Sequence, residues 1–168
     1  MVCALGPASS RRRTILGCGV IRSVMIDTMV FDALHDDPDG RAAVLEAVRL
    51  GELALLTTHV QEDQVAAIRD AVRRKALQRL PRTVVPSSVT VDGVARNGQA
   101  RVNANSHYAR MRDVRHFQDS LIADATAARA DLLVTDDRRL AREAHDLGND
   151  VWTSAELLDW ARGRRARR

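Results

Sequence analysis

Leu132-Leu133-Val134-Thr135-Asp136-Asp137 decides how this chain folds: three apolar residues, a hydroxyl, then two acids ahead of a helix-forming stretch from Arg138. So short an unbroken apolar run reads as a strand buried on both faces, and buried strands alternating with helices belong to a parallel sheet. The same grammar appears upstream, where Val24-Met25-Ile26 ends in Asp27 and Leu53 to Leu56 runs into Thr57-Thr58-His59-Val60-Gln61-Glu62-Asp63. Between them, Gly40 to Leu50 sets Ala43, Val44, Ala47 and Val48 on one stripe and stops at Gly51, which predicts a helix with a glycine cap. Val65, Ile68, Val72 and Ala76 predict one core-facing helix over 62–80, closed by Pro81. Thr83 to Val91 holds Pro86 among its valines and predicts an edge strand or a loop. Helices over 119–129 and 138–147 flank the Leu132 strand, Val151-Trp152 gives a short last strand, and Ser154-Ala155-Glu156 predicts the cap of a last helix. The expected class is α/β, a three-layer α/β/α sandwich around a central parallel sheet.

With 168 residues the chain suits one domain, expected over 24–163. Residues 1–23 read as a leader, either disordered or the product of an over-extended start codon, and 164–168 as a frayed basic tail. Hydrophobic residues at 45 % and charged residues at 29 % exclude wholesale disorder and coiled-coil repeats. Aromatic residues at 3 % weigh against binding single strands on rows of stacked rings. The net charge is +4, and Lys75 is the only lysine among 26 basic residues. That arginine bias reflects either genome composition or attraction to phosphate, which guanidinium grips in a fork, and charge alone does not choose. Cys3 and Cys18 form neither a disulfide framework nor a zinc motif, so a reducing cytoplasm is expected. No apolar run approaches the roughly 18 residues a membrane span needs.

Parallel sheets bind ligands beyond the carboxyl ends of their strands. Asp27, Asp136, Asp137 and the pair Glu62 and Asp63 follow the predicted strands, and Asp119 opens the helix before Leu132. Singly, each is an ordinary cap or turn residue. Together they repel one another and raise each other's pKa unless a cation neutralises them. Oxygen donors without Cys, and without a His-x-x-x-His pair, select Mg²⁺ or Mn²⁺ over zinc, and such ions suit phosphoryl chemistry.

Residues 25 to about 160 resemble a PIN domain, the metal-dependent ribonuclease fold of VapC-type toxins. The resemblance rests on Ile26-Asp27-Thr28, on Asp119-Ser120-Leu121-Ile122-Ala123-Asp124-Ala125-Thr126-Ala127, and on Leu133-Val134-Thr135-Asp136-Asp137-Arg138-Arg139-Leu140. Asp119 and Asp137 lie 18 residues apart, in the family's order and spacing. The resemblance implies hydrolysis of RNA phosphodiester bonds by a cluster of acids holding Mg²⁺ or Mn²⁺. Asp27 matches the first acid, Asp119 the third and Asp137 the fourth. The second is open between Asp63, which has the spacing, and Glu62, which has the commoner residue type. Thr28, Thr135 and Asp136 stand behind the acids, with the Thr135 hydroxyl orienting a ligand or water. Met29 departs from the small polar residue many members carry there. Asp124, roughly 140° around the helix from Asp119, is expected outside the cluster. A cognate antitoxin of a type II pair and a homodimer are implied as partners, besides the RNA.

Arg96, Arg101, Arg110, Arg112 and Arg115, set among Asn97, Asn103, Asn105, His107 and Tyr108, are the candidate grip on RNA phosphates, or else a solvated helix face. His59, His107 and His116 are expected to be surface or turn residues. A housekeeping RNA-processing nuclease and a non-catalytic RNA- or protein-binding module remain alternatives. A haloacid-dehalogenase-type phosphatase also begins strand-Asp, but it wants a second Asp where Met29 stands.

Overall fold

A computed structural model describes residues 15–16, 19–20, 22–87 and 117–167. Strands β1 (Ile15–Leu16) and β2 (Gly19–Val20) pair antiparallel with each other. The main sheet comprises β3 (Arg22–Ile26), β4 (Leu53–Thr57), β5 (Thr83–Val84), β6 (Leu132–Val134) and β7 (Asp150–Trp152). Its order is β5-β4-β3-β6-β7 with every pair parallel. The chain winds outward from β3 through β4 to β5, then returns to β6 on the other side. The winding therefore reverses between β3 and β6, the crevice where parallel sheets take their ligands.

Among the described residues, seven helices accompany the strands: α1 (Thr28–Asp36), α2 (Pro38–Arg49), α3 (His59–Ala66), α4 (Ala71–Gln78), α5 (Phe117–Arg129), α6 (Arg138–Asp146) and α7 (Ser154–Arg165). Successive strand residues point to opposite faces, and the core divides on that period of two. Val24, Ile26, Leu53, Leu55, Leu132 and Val134 meet Phe31, Leu34, Val44, Ala47, Leu77 and Leu157 from α1, α2, α4 and α7. Met25, Leu56 and Leu133 meet Leu121, Ile122, Ala125, Leu140 and Ala144 from α5 and α6. The result is the three-layer α/β/α sandwich with a fully parallel central sheet. Gly40 lets α2 lie close against α7, since a Cβ there would stand 2.6 Å from Leu158 Cδ2 and 2.5 Å from Asp37 Oδ2.

The single helix expected over 62–80 is two helices. Asp70 stops the first by capping the second, its carboxylate accepting from Val72 N at 2.8 Å and Arg73 N at 3.1 Å. The turn resets the apolar register, so Val72 is 80 % exposed while Leu77 and Leu80 enter the core. The last helix is capped by Thr153 rather than Ser154, in a capping box with Glu156. The expected domain limits also shift. Arg22 and Ser23 belong to the central strand, and α7 extends through Arg164 and Arg165. β5 is a two-residue edge strand, and the rest of 83–91 past Ser87 lies outside the described residues. Among the described residues, no helix is long and apolar enough to cross a membrane.

Candidate active site

The alternation that sorts the core also sorts the acids. Met25 and Leu133 face α5 and α6, and two residues further along each strand stand Asp27 and Thr135, at the carboxyl edge on that same side. Asp27 is 8 % exposed. Its amide donates to Val134 O at 3.0 Å, carrying the ladder one residue past β3. Its carboxylate accepts from Thr28 N at 2.6 Å through Oδ1 and from the Thr135 hydroxyl at 2.8 Å through Oδ2. Burial raises its pKa; the two hydrogen bonds oppose that, and Asp137 and Asp136 add to it as like charges.

Asp136 and Asp137 part company. Asp136 turns towards α7, where Oδ1 accepts from Ser154 N at 3.0 Å and Oδ2 from the Ser154 hydroxyl at 2.6 Å. Asp137 turns towards α5 and caps α6, Oδ1 accepting from Arg139 N at 2.7 Å and Leu140 N at 3.2 Å. Its own amide donates to Thr135 Oγ1 at 3.1 Å, so one hydroxyl bonds to both Asp27 and Asp137. Asp119, in the first turn of α5, feels both of them. Burial first, then the charges of Asp137, Glu143 and Asp27, push its carboxyl up to about 6, even though the Arg139 guanidinium bonds to Oδ2.

Both candidates for the second acid stand on α3. Glu62 is paired with Arg82, whose Nε and second guanidinium nitrogen reach the two carboxylate oxygens at 2.6 and 2.7 Å. Burial would raise the Glu62 pKa, but Arg82 and the Thr57 hydroxyl, 2.9 Å from Oε1, bring it below the usual value. Asp63 is exposed on α3.

Two amides take the inward side of α3 instead. Gln61 is fully buried, its Oε1 accepting from Thr58 N at 2.7 Å and its Nε2 donating to Ile26 O at 3.2 Å. Gln64 accepts from the Thr28 hydroxyl and donates to Gln118 Oε1 at 3.0 Å, tying together the residues beside Asp27 and Asp119. The spacing Thr58-x-x-Gln61 is a legible capping box, and Gln64 follows three residues on, on the same helix face. Arg139, two residues after Asp137, carried no sequence signal beyond that closeness.

His59 is buried at the start of α3 rather than on the surface, and Asp124 is buried too. Met29 is half exposed in the first turn of α1. His107, His116 and the arginines Arg96, Arg101, Arg110, Arg112 and Arg115 lie outside the described residues.

Asp27, Asp119 and Asp137 offer oxygen donors only, in a partly buried and mutually repulsive setting, which fits a hard divalent cation chemically. They are not closed around one point: among the described residues, no three His, Cys, Asp or Glu side chains stand close enough to share an ion. Compared with known proteins, the chain matches no family model, no curated protein and no solved structure.

Proposed function

We propose that this chain is a PIN-type endoribonuclease that depends on Mg²⁺ or Mn²⁺ and hydrolyses RNA phosphodiester bonds. The observation that carries the reading is that three acids from separate elements, Asp27, Asp119 and Asp137, act on one another at the crevice between β3 and β6. Those three would hold the cation. When bound, a divalent ion supplies charge to phosphate oxygens and acidifies water. The chain's own contribution is positional. Thr135 fixes Asp27 and the amide of Asp137 together, and Gln64 links the starts of α1 and α5. The resemblance to VapC-type toxins extends this reading to the toxin of a type II toxin-antitoxin pair, with an antitoxin and a second copy of the chain as partners, and the two cysteines, outside any disulfide framework, extend it to a reducing cytoplasm.

A second reading is a non-catalytic RNA- or protein-binding module. It is favoured by the open arrangement of the acids and by the guanidinium on Asp119. Cleavage of a defined RNA panel separates the two. The nuclease reading expects cleavage with Mg²⁺ or Mn²⁺, loss in excess EDTA, and loss in Asp27→Asn and Asp119→Asn. Cleavage that persists in EDTA, or no cleavage with RNA binding unchanged in both variants, would defeat it.

A further inference from the structure

We propose that Arg139 is a resident counter-cation of this site, which a divalent ion has to displace from Asp119 before the carboxylates can close on it. The inference rests on the metallonuclease reading and adds how the site is held in check.

Arg139 joins two of the three acids through separate groups. Its backbone amide donates to Asp137 Oδ1 at 2.7 Å, which fixes its main chain in the first turn of α6. Its guanidinium donates to Asp119 Oδ2 on α5. The pair therefore spans the acid group, and it engages an oxygen that an ion would need. Asp137, Glu143 and Asp27 all repel the Asp119 carboxylate, so a fixed positive charge is strongly favoured there.

Arginine is not deprotonated in proteins, so this charge is removed only by moving the side chain. That movement runs towards solvent, since the Arg139 side chain is 42 % exposed although its Nε is buried. The guanidinium on Asp119 also accounts for the acids standing near one another without enclosing a common point. A cation that binds only the displaced arrangement has its apparent affinity lowered by the fraction of chains in that arrangement.

The test is Mn²⁺ binding to the full chain, followed by electron paramagnetic resonance and calorimetry, for wild type, Arg139→Gln, Arg139→Lys and Asp27→Asn. The expected result is that Arg139→Gln binds Mn²⁺ about two- to five-fold more tightly, the scale of releasing a half-exposed ion pair. Arg139→Lys, which keeps the charge, stays nearer wild type, and Asp27→Asn binds more weakly. Equal or weaker binding by Arg139→Gln, with wild type still binding and Asp27→Asn impaired, overturns the role of Arg139 and leaves the metal reading standing. If no variant binds Mn²⁺, the metal reading itself falls and takes the inference with it. A second measurement needs no variant to fold. In the wild-type chain, the Arg139 Nε–Hε resonance should shift during Mg²⁺ titration with the midpoint of binding, and a resonance that stays still through saturation overturns the displacement.

Discussion

The Thr135 hydroxyl donates to Asp27 Oδ2 at 2.8 Å, from the residue after β6 to the residue after β3. Thr135 is 2 % exposed, so water does not replace that bond easily. The same oxygen receives the Asp137 amide at 3.1 Å. Thr135→Val keeps the shape and strands both partners, which should cost about 1–3 kcal/mol. Thr135→Ser keeps the hydroxyl and loses one methyl, a cost of about 1 kcal/mol. Urea denaturation measures both, and a valine variant as stable as the serine variant would refute the bridging role.

The neighbouring acids should separate by kind of defect. Asp136→Ala removes two bonds to Ser154 at the start of α7 and is expected to cost about 1–2 kcal/mol while sparing cleavage. Asp137→Asn retains an oxygen able to cap Arg139 N and Leu140 N, so it should keep most stability and lose RNA cleavage. Paired melts and cleavage assays decide it. The reverse pattern would mean that Asp136 is the acid of the site.

Asp119 gives a pH dependence with a definite sign. The unfolded chain releases this proton near 3.8 and the folded chain holds it until about 6. Between those values the folded state binds more protons, so the contribution to stability is full below the lower value and is lost as pH rises through the upper one. Asp27 is shifted in the same direction, chiefly by burial. Chelator-treated protein should therefore lose stability from about pH 4 to about pH 6, and Asp119→Asn should lose less. Parallel curves for the two proteins would show that Asp119 is not the group responsible.

Where one rule governed a stretch, the sequence was readable. Leu132-Leu133-Val134 had no polar residue to place and became a strand buried on both faces. The alternation beyond it separated Asp136 from Asp137 by period alone. Reading failed where a local bond competed with a pattern. Val65, Ile68, Val72 and Ala76 match one continuous helix, yet the Asp70 carboxylate offers two amides a cap and breaks it. The second acid was illegible for a related reason. Spacing and residue type pointed to Asp63 and Glu62, whereas Arg82, twenty residues further on, claims Glu62. Nothing local to Glu62 encodes that pairing, and the side of α3 that meets Thr28 and Ile26 carries Gln64 and Gln61.

The amino-terminal edge of the domain gives the last prediction, because sequence pattern and structure place it differently. Apolar residues begin at Val24, but Ser23 is clamped to Asp131, the residue just before the neighbouring strand β6. Its amide and hydroxyl each donate to Asp131 Oδ2 at 2.8 Å, and Asp131 N donates back to Ser23 O at 2.7 Å. Arg22 adds a bond from its amide to Glu52 O at 3.1 Å and sets its guanidinium over the Trp152 ring, 5.0 Å from the centroid. These contacts lie at the solvent edge, where each bond contributes about 0.5–1.5 kcal/mol at most. A chain beginning at Val24 should thus be roughly 2–4 kcal/mol less stable than one beginning at Arg22, with the melting temperature lower by several degrees. Asp131→Ala should reproduce part of that loss in the longer chain and almost none in the shorter one, because its Ser23 partner is already gone. If both chains melt together, or Asp131→Ala costs the same in each, the Ser23 clamp does not secure the central strand.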